Sequence, residues 1–228
     1  KGSFGNAGIL GGSPSMVGAA FLAARAAIKL GAGRVYLGLL DPELPTVDLY
    51  QPELMLRRFE ALDLHQLTVV CGCGGGIAIQ RVLAEVLQRS RQLVRDADAL
   101  NAIAQNTIWA KLLKNRSAKG LPTVLTPHPL EAARLLGSTT TEVQAHRLRS
   151  AETLAQQWGC TVVLKGSGTV IAAPGQTPRI NATGNGKLAI GGTGDVLAGL
   201  IGARMAQGLS AFDASCAAVH QHGQVADT

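Results

Sequence analysis

The stretch Gly191-Gly-Thr-Gly-Asp195-Val-Leu-Ala-Gly199 is the most informative part of this sequence. Glycines that open a helix leave its first backbone N–H groups unpaired and place the positive end of the helix dipole at the same point. We therefore predict a helix over residues 194–207. Its start, at Gly192, Thr193 and Gly194, would form an anion hole for a phosphate or a developing phosphoryl charge.

Asp195 stands at the mouth of this predicted anion hole. A carboxylate there has the wrong sign for simply holding a phosphate, which favours a general base that takes a proton from a hydroxyl. The alternative is an Asp N-cap that follows a Gly-rich turn. The residues alone leave both interpretations open.

Outward from this stretch, short apolar runs alternate with helical patterns along the chain. Strands are predicted at residues 7–10, 34–39, 67–72, 92–96, 123–126 and 161–165. Further helices are predicted at residues 16–30, 77–90, 97–104, 129–136, 142–158 and 211–225. Two runs at 170–173 and 179–182 flank Pro174-Gly175 and predict a hairpin, while residues 41–52 predict a long surface connection. The alternation indicates an α/β fold with a mostly parallel central sheet and helices on both faces.

The composition favours one well-packed domain over residues 1–228, because 46% of the residues are hydrophobic and only 16% are charged. The chain opens almost directly onto its first strand and stops inside a helix, so we expect flanking segments at both ends. The net charge of +6 comes from scattered cations. The densest group, at residues 111–119, has no interleaved aromatics and predicts a solvated helix end and loop, so we expect no nucleic-acid partner.

The four cysteines predict buried free thiols in a reducing compartment. Cys71 and Cys73 lack the two-residue spacing and second pair of a zinc site, and Cys160 and Cys216 stand alone. We therefore assign no metal ligand. No apolar run approaches the ~20 residues that span a bilayer, and no signal peptide is visible. We expect a cytoplasmic protein without a membrane partner.

Several further motifs follow predicted strands. Lys165-Gly-Ser-Gly-Thr169 precedes a hairpin, so it is not a Walker loop; it suits a nucleotide contact, with a plain Gly-Ser turn as the alternative. His128, between two prolines in Thr126-Pro-His-Pro-Leu-Glu131, is either a positioned polar group or a structural strand-end histidine. Asp96-Ala-Asp98 and the glycine turn of residues 71–76 follow two more strands. All four motifs therefore meet at the carboxyl edge of the sheet, where open parallel sheets bind ligands.

His220-x-His222, near the end of the sequence, has no further ligand nearby. It favours surface or helix packing over a metal site.

Taken together, the motifs resemble the ADP/ATP-dependent NAD(P)H-hydrate dehydratases of the ribokinase-like superfamily. The resemblance rests on an ordered set that runs over essentially the whole chain: Lys1-Gly…Gly5, Gly11-Gly12-Ser13, Gly18-Ala19, Gly31-Ala32-Gly33, Asp96-Ala-Asp-Ala-Leu, Thr126-Pro-His-Pro, Leu164-Lys-Gly and Gly191 to Gly199. It implies a three-layer ribokinase-like fold and a substrate, S-NADHX or S-NADPHX, in which water has added to the dihydronicotinamide ring. It also implies that this hydroxyl is phosphorylated from ADP or ATP with Mg²⁺ and that phosphate is then expelled.

The resemblance also implies roles for individual residues. Asp195 would activate the hydroxyl, and Gly192, Thr193 and Gly194 would hold the transferring phosphoryl group. Contacts to the hydrated cofactor are implied for Ala19, Gly74, His128 and Asp195. Contacts to the adenine nucleotide are implied for Lys165, Gly166, Ser167, Gly168, Thr169 and Gly194. We also expect a homo-oligomer.

The sequence departs from the family pattern in a few places. Residues 71–76 replace the usual Gly-Pro-Gly-Leu-Gly turn, Leu130 replaces a usual Gly, Arg95 replaces an apolar strand residue, and residues 186–188 alter the approach to the anion hole. Two other functions stay open. A ribokinase-like kinase would leave the phosphate on a small alcohol, and a nucleotide-binding regulator would perform no catalysis.

Overall fold

One sheet organises the fold of this computed structural model, which describes residues 4–41, 43 and 47–228. Its strands in these residues are β1 Asn6–Gly11, β2 Arg34–Leu39, β3 Met55–Leu56, β4 Thr68–Cys71, β5 Gln92–Arg95, β6 Thr123–Leu125, β7 Thr161–Leu164, β8 Val170–Ala172 and β9 Arg179–Ile180. They lie in the order β3-β2-β1-β4-β5-β6-β7-β8-β9. Lys1 and Gly2 of the family pattern fall outside the described residues, as do positions 42 and 44–46 of the predicted surface connection.

The sheet is mostly parallel, as predicted. Every neighbouring pair from β3 to β7 is parallel, and only the β7–β8 and β8–β9 pairs are antiparallel. Every residue of β4 and β7 is buried, which is typical of a parallel sheet covered on both faces. The two-residue β3 is too short to show a sequence pattern and was not predicted.

Helices cover both faces of the sheet. They are α1 Val17–Lys29, α2 Gln80–Arg89, α3 Ala97–Gln105, α4 Thr107–Ala118, α5 Pro129–Leu136, α6 Thr140–Ala145, α7 Arg147–Trp158, α8 Thr193–Ala206 and α9 Ala211–Asp227. One buried apolar cluster joins residues of α2–α5 and α7 to one face, and a second joins α1, α8 and α9 to the other. The predicted α/β three-layer arrangement is confirmed.

Two of the helix predictions were wrong in detail. The helix predicted over residues 142–158 is two helices, because the backbone of His146 (φ −132°, ψ 47°) leaves the helical region between α6 and α7. The segment 111–119, predicted as a helix end and loop, is largely inside α4, which Asn106 caps by accepting the N–H of Ile108. Only Leu113 and Arg116 of α4 are fully buried, so its apolar pattern is weak.

The close packing of α8 against α1 and the sheet positions the glycine-rich helix start. A β-carbon at Gly199 would lie 2.1 Å from the carbonyl oxygen of Ala23 on α1. At Gly202 it would lie 2.3 Å from a methyl group of Val70 on β4. These glycines let α8 lie directly on its neighbours, so its start is fixed at the carboxyl edge of the sheet.

Two polar residues of the interior also bear on the sequence predictions. Arg95, a departure from the family pattern, is fully buried in β5, donates to the carbonyl of Ala99, and has its pKa lowered to about 10 by burial. Asp48, in the predicted surface connection, is buried and forms a two-point ion pair with Arg25 of α1.

Among the described residues, none of the helices is both long and apolar enough to cross a bilayer.

Candidate active site

The start of α8 presents its free backbone N–H groups at the sheet edge. Gly192 holds the N-cap position in the left-handed region (φ 94°), and the helix begins at Thr193, one residue earlier than predicted. The hydroxyl of Thr193 lies 2.8 Å from the carbonyl oxygen of Leu188 and 3.0 Å from that of Ile190, so it ties the preceding loop to the helix. The geometry is that of a helix-start anion site.

Asp195 is the third residue of α8 and does not occupy its N-cap position. The capping interpretation of Asp195 is therefore wrong, because Gly192 holds that place. The side chain is half-buried, and burial raises its pKa above the usual range, with a further rise from the charge of Asp96 and opposing effects of Cys73 and Lys165. A carboxylate of raised basicity at a helix start is suited to accept a proton.

A buried ion pair between Lys165 and Asp96 lies beside the helix start. The Lys165 ammonium donates to Asp96 Oδ1 at 2.6 Å, and the Thr126 hydroxyl donates to the same oxygen at 2.7 Å. Burial by itself lowers the pKa of Lys165, but the charges of Asp96 and Glu131 outweigh it and raise the pKa. A β-carbon placed on Gly194 would lie 3.4 Å from Lys165 Nζ, so the ammonium adjoins the amides of α8.

The turn of residues 165–169 follows β7 directly. Gly166 (φ 139°) and Gly168 (φ 60°) adopt backbone angles that side chains disfavour, and the Thr169 hydroxyl donates to the Gly166 carbonyl at 2.9 Å. Arg147 of α7 stabilises the turn by donating hydrogen bonds to the carbonyls of Leu164 (3.1 Å) and Gly168 (3.3 Å). Arg147 was not predicted, because nothing in the α7 pattern indicates which polar residue reaches a turn 18 positions further along.

A cleft of about 420 Å³ opens beside this turn. It includes all five residues 165–169 together with Thr193 and Gly194, so the predicted nucleotide contacts lie on one surface. Leu188, Leu197 and Val219 give the cleft an apolar wall. Its size is in the range of small-molecule sites.

The loop of residues 183–185, which lines the cleft, is held by α9. The Gly184 amide donates to Asp227 (2.8 Å), the Asn185 side chain donates to the carbonyl of Ala226 (2.7 Å), and the Thr183 hydroxyl donates to the carbonyl of His220 (2.9 Å). His220 itself is exposed, as surface packing predicts. His222, half-buried on the same helix, lines the cleft.

His128 begins α5 and carries a structural role. Its Nδ1 accepts the backbone N–H of Leu130 (3.1 Å), its own amide donates to Glu131 Oε2 (2.8 Å), and its Nε2 lies 3.3 Å from Glu131 Oε1. Burial, with the charge of Lys165, lowers the pKa of His128. Burial raises the pKa of the Glu131 carboxyl to about 7. His128 therefore makes the contacts expected of the structural alternative, and its side chain remains 46% exposed, so a ligand can still reach the imidazole.

Ala19 and Gly74, also predicted as substrate contacts, lie next to each other. A β-carbon on Gly74 (φ 58°) would lie 2.8 Å from Cβ of Ala19. Ser13 fixes this approach by donating its backbone N–H (2.7 Å) and its hydroxyl (3.1 Å) to the Gly74 carbonyl. Because Ala19 and Gly74 are both small, the start of α1 and the turn after β4 are in direct contact.

Cys73 adds a thiol beside the two carboxylates. Its Sγ and one oxygen each of Asp96 and Asp195 lie within 4.8 Å of one another. Burial, followed by these two charges, raises the pKa of the thiol well above its usual value, so it stays protonated. Cys71, Cys73 and Cys160 are buried free thiols as predicted, and Cys216 is half-buried.

Comparisons with known proteins agree on one family. The family model described as NAD(P)H-hydrate dehydratase matches residues 7–228. The chain is 43% identical to the ADP-dependent (S)-NAD(P)H-hydrate dehydratase of Neisseria meningitidis over 100% of its own length and 78% of that protein. It is also 36–38% identical to several bifunctional NAD(P)H-hydrate repair enzymes, of whose length it spans only 44–46%.

Solved structures give the same result. The ADP/ATP-dependent NAD(P)H-hydrate dehydratase of Bacillus subtilis, co-crystallised with ATP and Mg²⁺, superposes with a TM-score of 0.84 at 32% identity and covers 99% of this chain and 81% of its own. A ribokinase-like superfamily protein of Enterococcus faecalis superposes with a TM-score of 0.79 at 26% identity, covering 99% and 79%. These similarities confirm the ribokinase-like fold.

Proposed function

Because the chain belongs to the NAD(P)H-hydrate dehydratase family, we propose that it converts S-NADHX and S-NADPHX back to NADH and NADPH, with ADP or ATP as the phosphoryl donor. The observation that carries this proposal is the meeting of three groups at one point. Gly194 places the free amides at the start of α8 beside the Lys165 ammonium, and a carboxylate oxygen of Asp195 lies within 4.8 Å of an oxygen of Asp96, the partner of Lys165. An anion hole, a cation and a base are what phosphoryl transfer to a hydroxyl requires.

Asp195 acts as the general base in this scheme. Its carboxylate takes the proton of the ring hydroxyl, whose oxygen then attacks the terminal phosphorus while the bond to the leaving nucleotide breaks. The raised pKa of Asp195 places its basicity nearer to neutral pH. Gly192, Thr193 and Gly194 direct their amides at the phosphoryl oxygens, and Lys165 adds a positive charge, balanced by Asp96 when no ligand is bound.

The second step is an elimination. The carbon–oxygen bond to phosphate breaks with its electrons leaving on the phosphate oxygen, assisted by the lone pair of the ring nitrogen, and the neighbouring carbon loses a proton. Atoms balance as one nucleotide and one hydrated cofactor giving reduced cofactor, phosphate and a nucleotide shortened by one phosphate. This step separates the proposal from the small-molecule kinase, in which the phosphate would stay on the alcohol.

The substrate contacts in this scheme are Ala19, Gly74, His128 and Asp195. The adjoining Ala19 and Gly74 and the ligand-accessible imidazole of His128 support these contacts. The nucleotide contacts are Lys165, Gly166, Ser167, Gly168, Thr169 and Gly194, supported by their common cleft.

The donor atoms near Asp195 do not fit a protein-built magnesium cage. They include a thiol, which Mg²⁺ does not favour, and Asp96 is already paired with Lys165. Mg²⁺ fits this site as an ion carried on the nucleotide phosphates, where it neutralises their charge.

We also infer one domain over residues 1–228, a cytoplasmic location, a homo-oligomer, and neither a nucleic-acid nor a membrane partner. The single sheet flanked by both apolar clusters supports the domain assignment. Buried free thiols support a reducing compartment. Exposed Leu49, Tyr50 and Ile190 offer apolar surface for contact between copies.

The experiment is to incubate the protein with NADHX and Mg²⁺, with ADP, with ATP or without nucleotide, and to follow the near-ultraviolet absorbance of reduced nicotinamide. We expect NADH to appear only with nucleotide, with one phosphate released for each NADH. NADH formation without nucleotide would refute the scheme, and a stable phosphorylated product would establish the kinase alternative.

A further inference from the structure

One face of α9 is directed into the nucleotide cleft. Val219, His222 and Gly223 all line it, and their spacing of three and four residues places them on the same side of the helix. His220, two residues before His222, is exposed and does not line the cleft. The two histidines of this helix therefore differ in their surroundings although they are close in sequence.

His222 is a neutral and unengaged polar group in this wall. Burial lowers its pKa, so the imidazole is uncharged at neutral pH. Within the described part of the chain, its ring nitrogens form no hydrogen bond or ion pair. Lys165 is the other ionisable side chain among the described cleft residues, and its ammonium is already held by Asp96. A neutral imidazole has one N–H donor and one nitrogen acceptor free for a ligand.

The cleft has a phosphate end and an apolar end. Lys165 and Gly194 mark the phosphate end, because cation and helix-start amides meet there. Leu197 lies one turn further along α8, and together with Leu188 and Val219 it forms the apolar wall that continues to His222. A nucleotide has the same two parts, since a charged phosphate chain is joined to a flat, largely apolar base with a polar edge.

We propose that His222 recognises the base of the nucleotide donor. Its imidazole packs against the purine ring and offers its free nitrogens to the ring edge, while Gly223, where a β-carbon would lie 2.2 Å from the Thr183 hydroxyl oxygen, lets α9 pack closely against the loop beside the cleft. This inference rests on the proposed function for the presence of a nucleotide in the cleft. It adds a residue of α9 to the predicted contacts, all of which belong to residues 165–169 and Gly194.

The test compares two ligands, ADP and inorganic pyrophosphate, by calorimetric titration of the wild type, H222A and H220A. Pyrophosphate has the phosphates of ADP but no base. We expect H222A to bind ADP about 5- to 150-fold more weakly, the range for losing a ring contact to a base. Pyrophosphate affinity should be the same in all three proteins, and H220A should bind ADP as the wild type does.

Each other outcome has a definite meaning. Unchanged ADP affinity in H222A would overturn the proposal, and so would an equal loss for ADP and pyrophosphate, because the histidine would then act on the whole cleft. A wild type that binds neither ligand would instead refute the proposed function. If H222A melts well below the wild type, H222Q, which keeps a polar side chain of similar length, is titrated in its place, and it must still lose ADP affinity selectively.

Discussion

Replacing Gly194 with Ala tests the phosphoryl site by adding one methyl group. In a helix the β-carbon tilts toward the N-terminus, so at the start of α8 it enters the space where a phosphoryl oxygen would meet the amides. The added carbon would lie 3.4 Å from Lys165 Nζ and 3.8 Å from Asp96 Oδ2, which is ordinary contact. The fold therefore accommodates the methyl group, but a bound phosphoryl group does not.

The expected magnitudes follow from this geometry. The methyl group removes no donor but keeps a phosphoryl oxygen away from these amides, and losing one well-placed donor to a developing anion costs ~10²- to 10³-fold in kcat. Stability should hold or rise by up to ~1 kcal/mol, because Ala is the better helix former. Gly191→Ala is the matched control, since its β-carbon would meet nothing within 4 Å and its φ lies outside the left-handed region. The assay is NADHX-dependent NADH formation together with a melting curve. A Gly194→Ala protein with more than about a tenth of normal kcat, or a Gly191→Ala protein equally impaired, would refute the reasoning.

Three further predictions follow from the same geometry. Asp195→Asn and Asp195→Ala should both lose ~10²- to 10⁴-fold in turnover, because the carboxylate acts as a general base. Both should keep the melting temperature of the wild type, because Asp195 does not cap the helix. Near-normal turnover of the Asn variant would show that Asp195 is not the base. Glu131, whose pKa rises from 4.5 to about 7 on folding, should stabilise the protein at low pH and lose that contribution, about 3 kcal/mol at most, as pH rises from 4.5 to 7. The free energy of unfolding, measured with urea at both pH values, should show this loss for the wild type but not for Glu131→Gln. An equal change with pH in the two proteins would contradict the prediction. Gly166→Ala should weaken ADP binding by about tenfold, because its φ of 139° and the Arg147 guanidinium 3.0 Å from the new carbon both shift the turn. Gly175→Ala (φ 73°), in the hairpin, is its strained control and should bind ADP normally.

The sequence was sufficient for the layers of the fold and for the edge that carries the site. Apolar runs such as those of β4 and β7 stand out because parallel strands are buried on both faces. The glycines before Asp195 fix the helix start, since few other residues tolerate the left-handed angle of Gly192. Buried strands and the glycine-rich helix start both depend on residues that are close in sequence, so a sequence pattern can predict them.

Contacts between distant segments could not be predicted in the same way. Lys165 and Asp96 are 69 residues apart, and neither motif indicates which charge its partner carries. Arg147 and Asp227 stabilise the two loops around the cleft, but each resembles an ordinary helix-surface charge in the sequence. His222 differs from His220 only through the side of α9 that it occupies, and that depends on how α9 packs in the fold.

The most direct test of the central claim follows the oxygen of the ring hydroxyl. NADHX prepared with ¹⁸O in that hydroxyl is converted with unlabelled ATP or ADP in unlabelled water, and the released phosphate is analysed by mass spectrometry. Phosphorylation of the hydroxyl followed by elimination predicts one ¹⁸O atom in each phosphate released with NADH. Unlabelled phosphate with the ¹⁸O in water would mean that the hydroxyl leaves without being phosphorylated, and the mechanism would be contradicted.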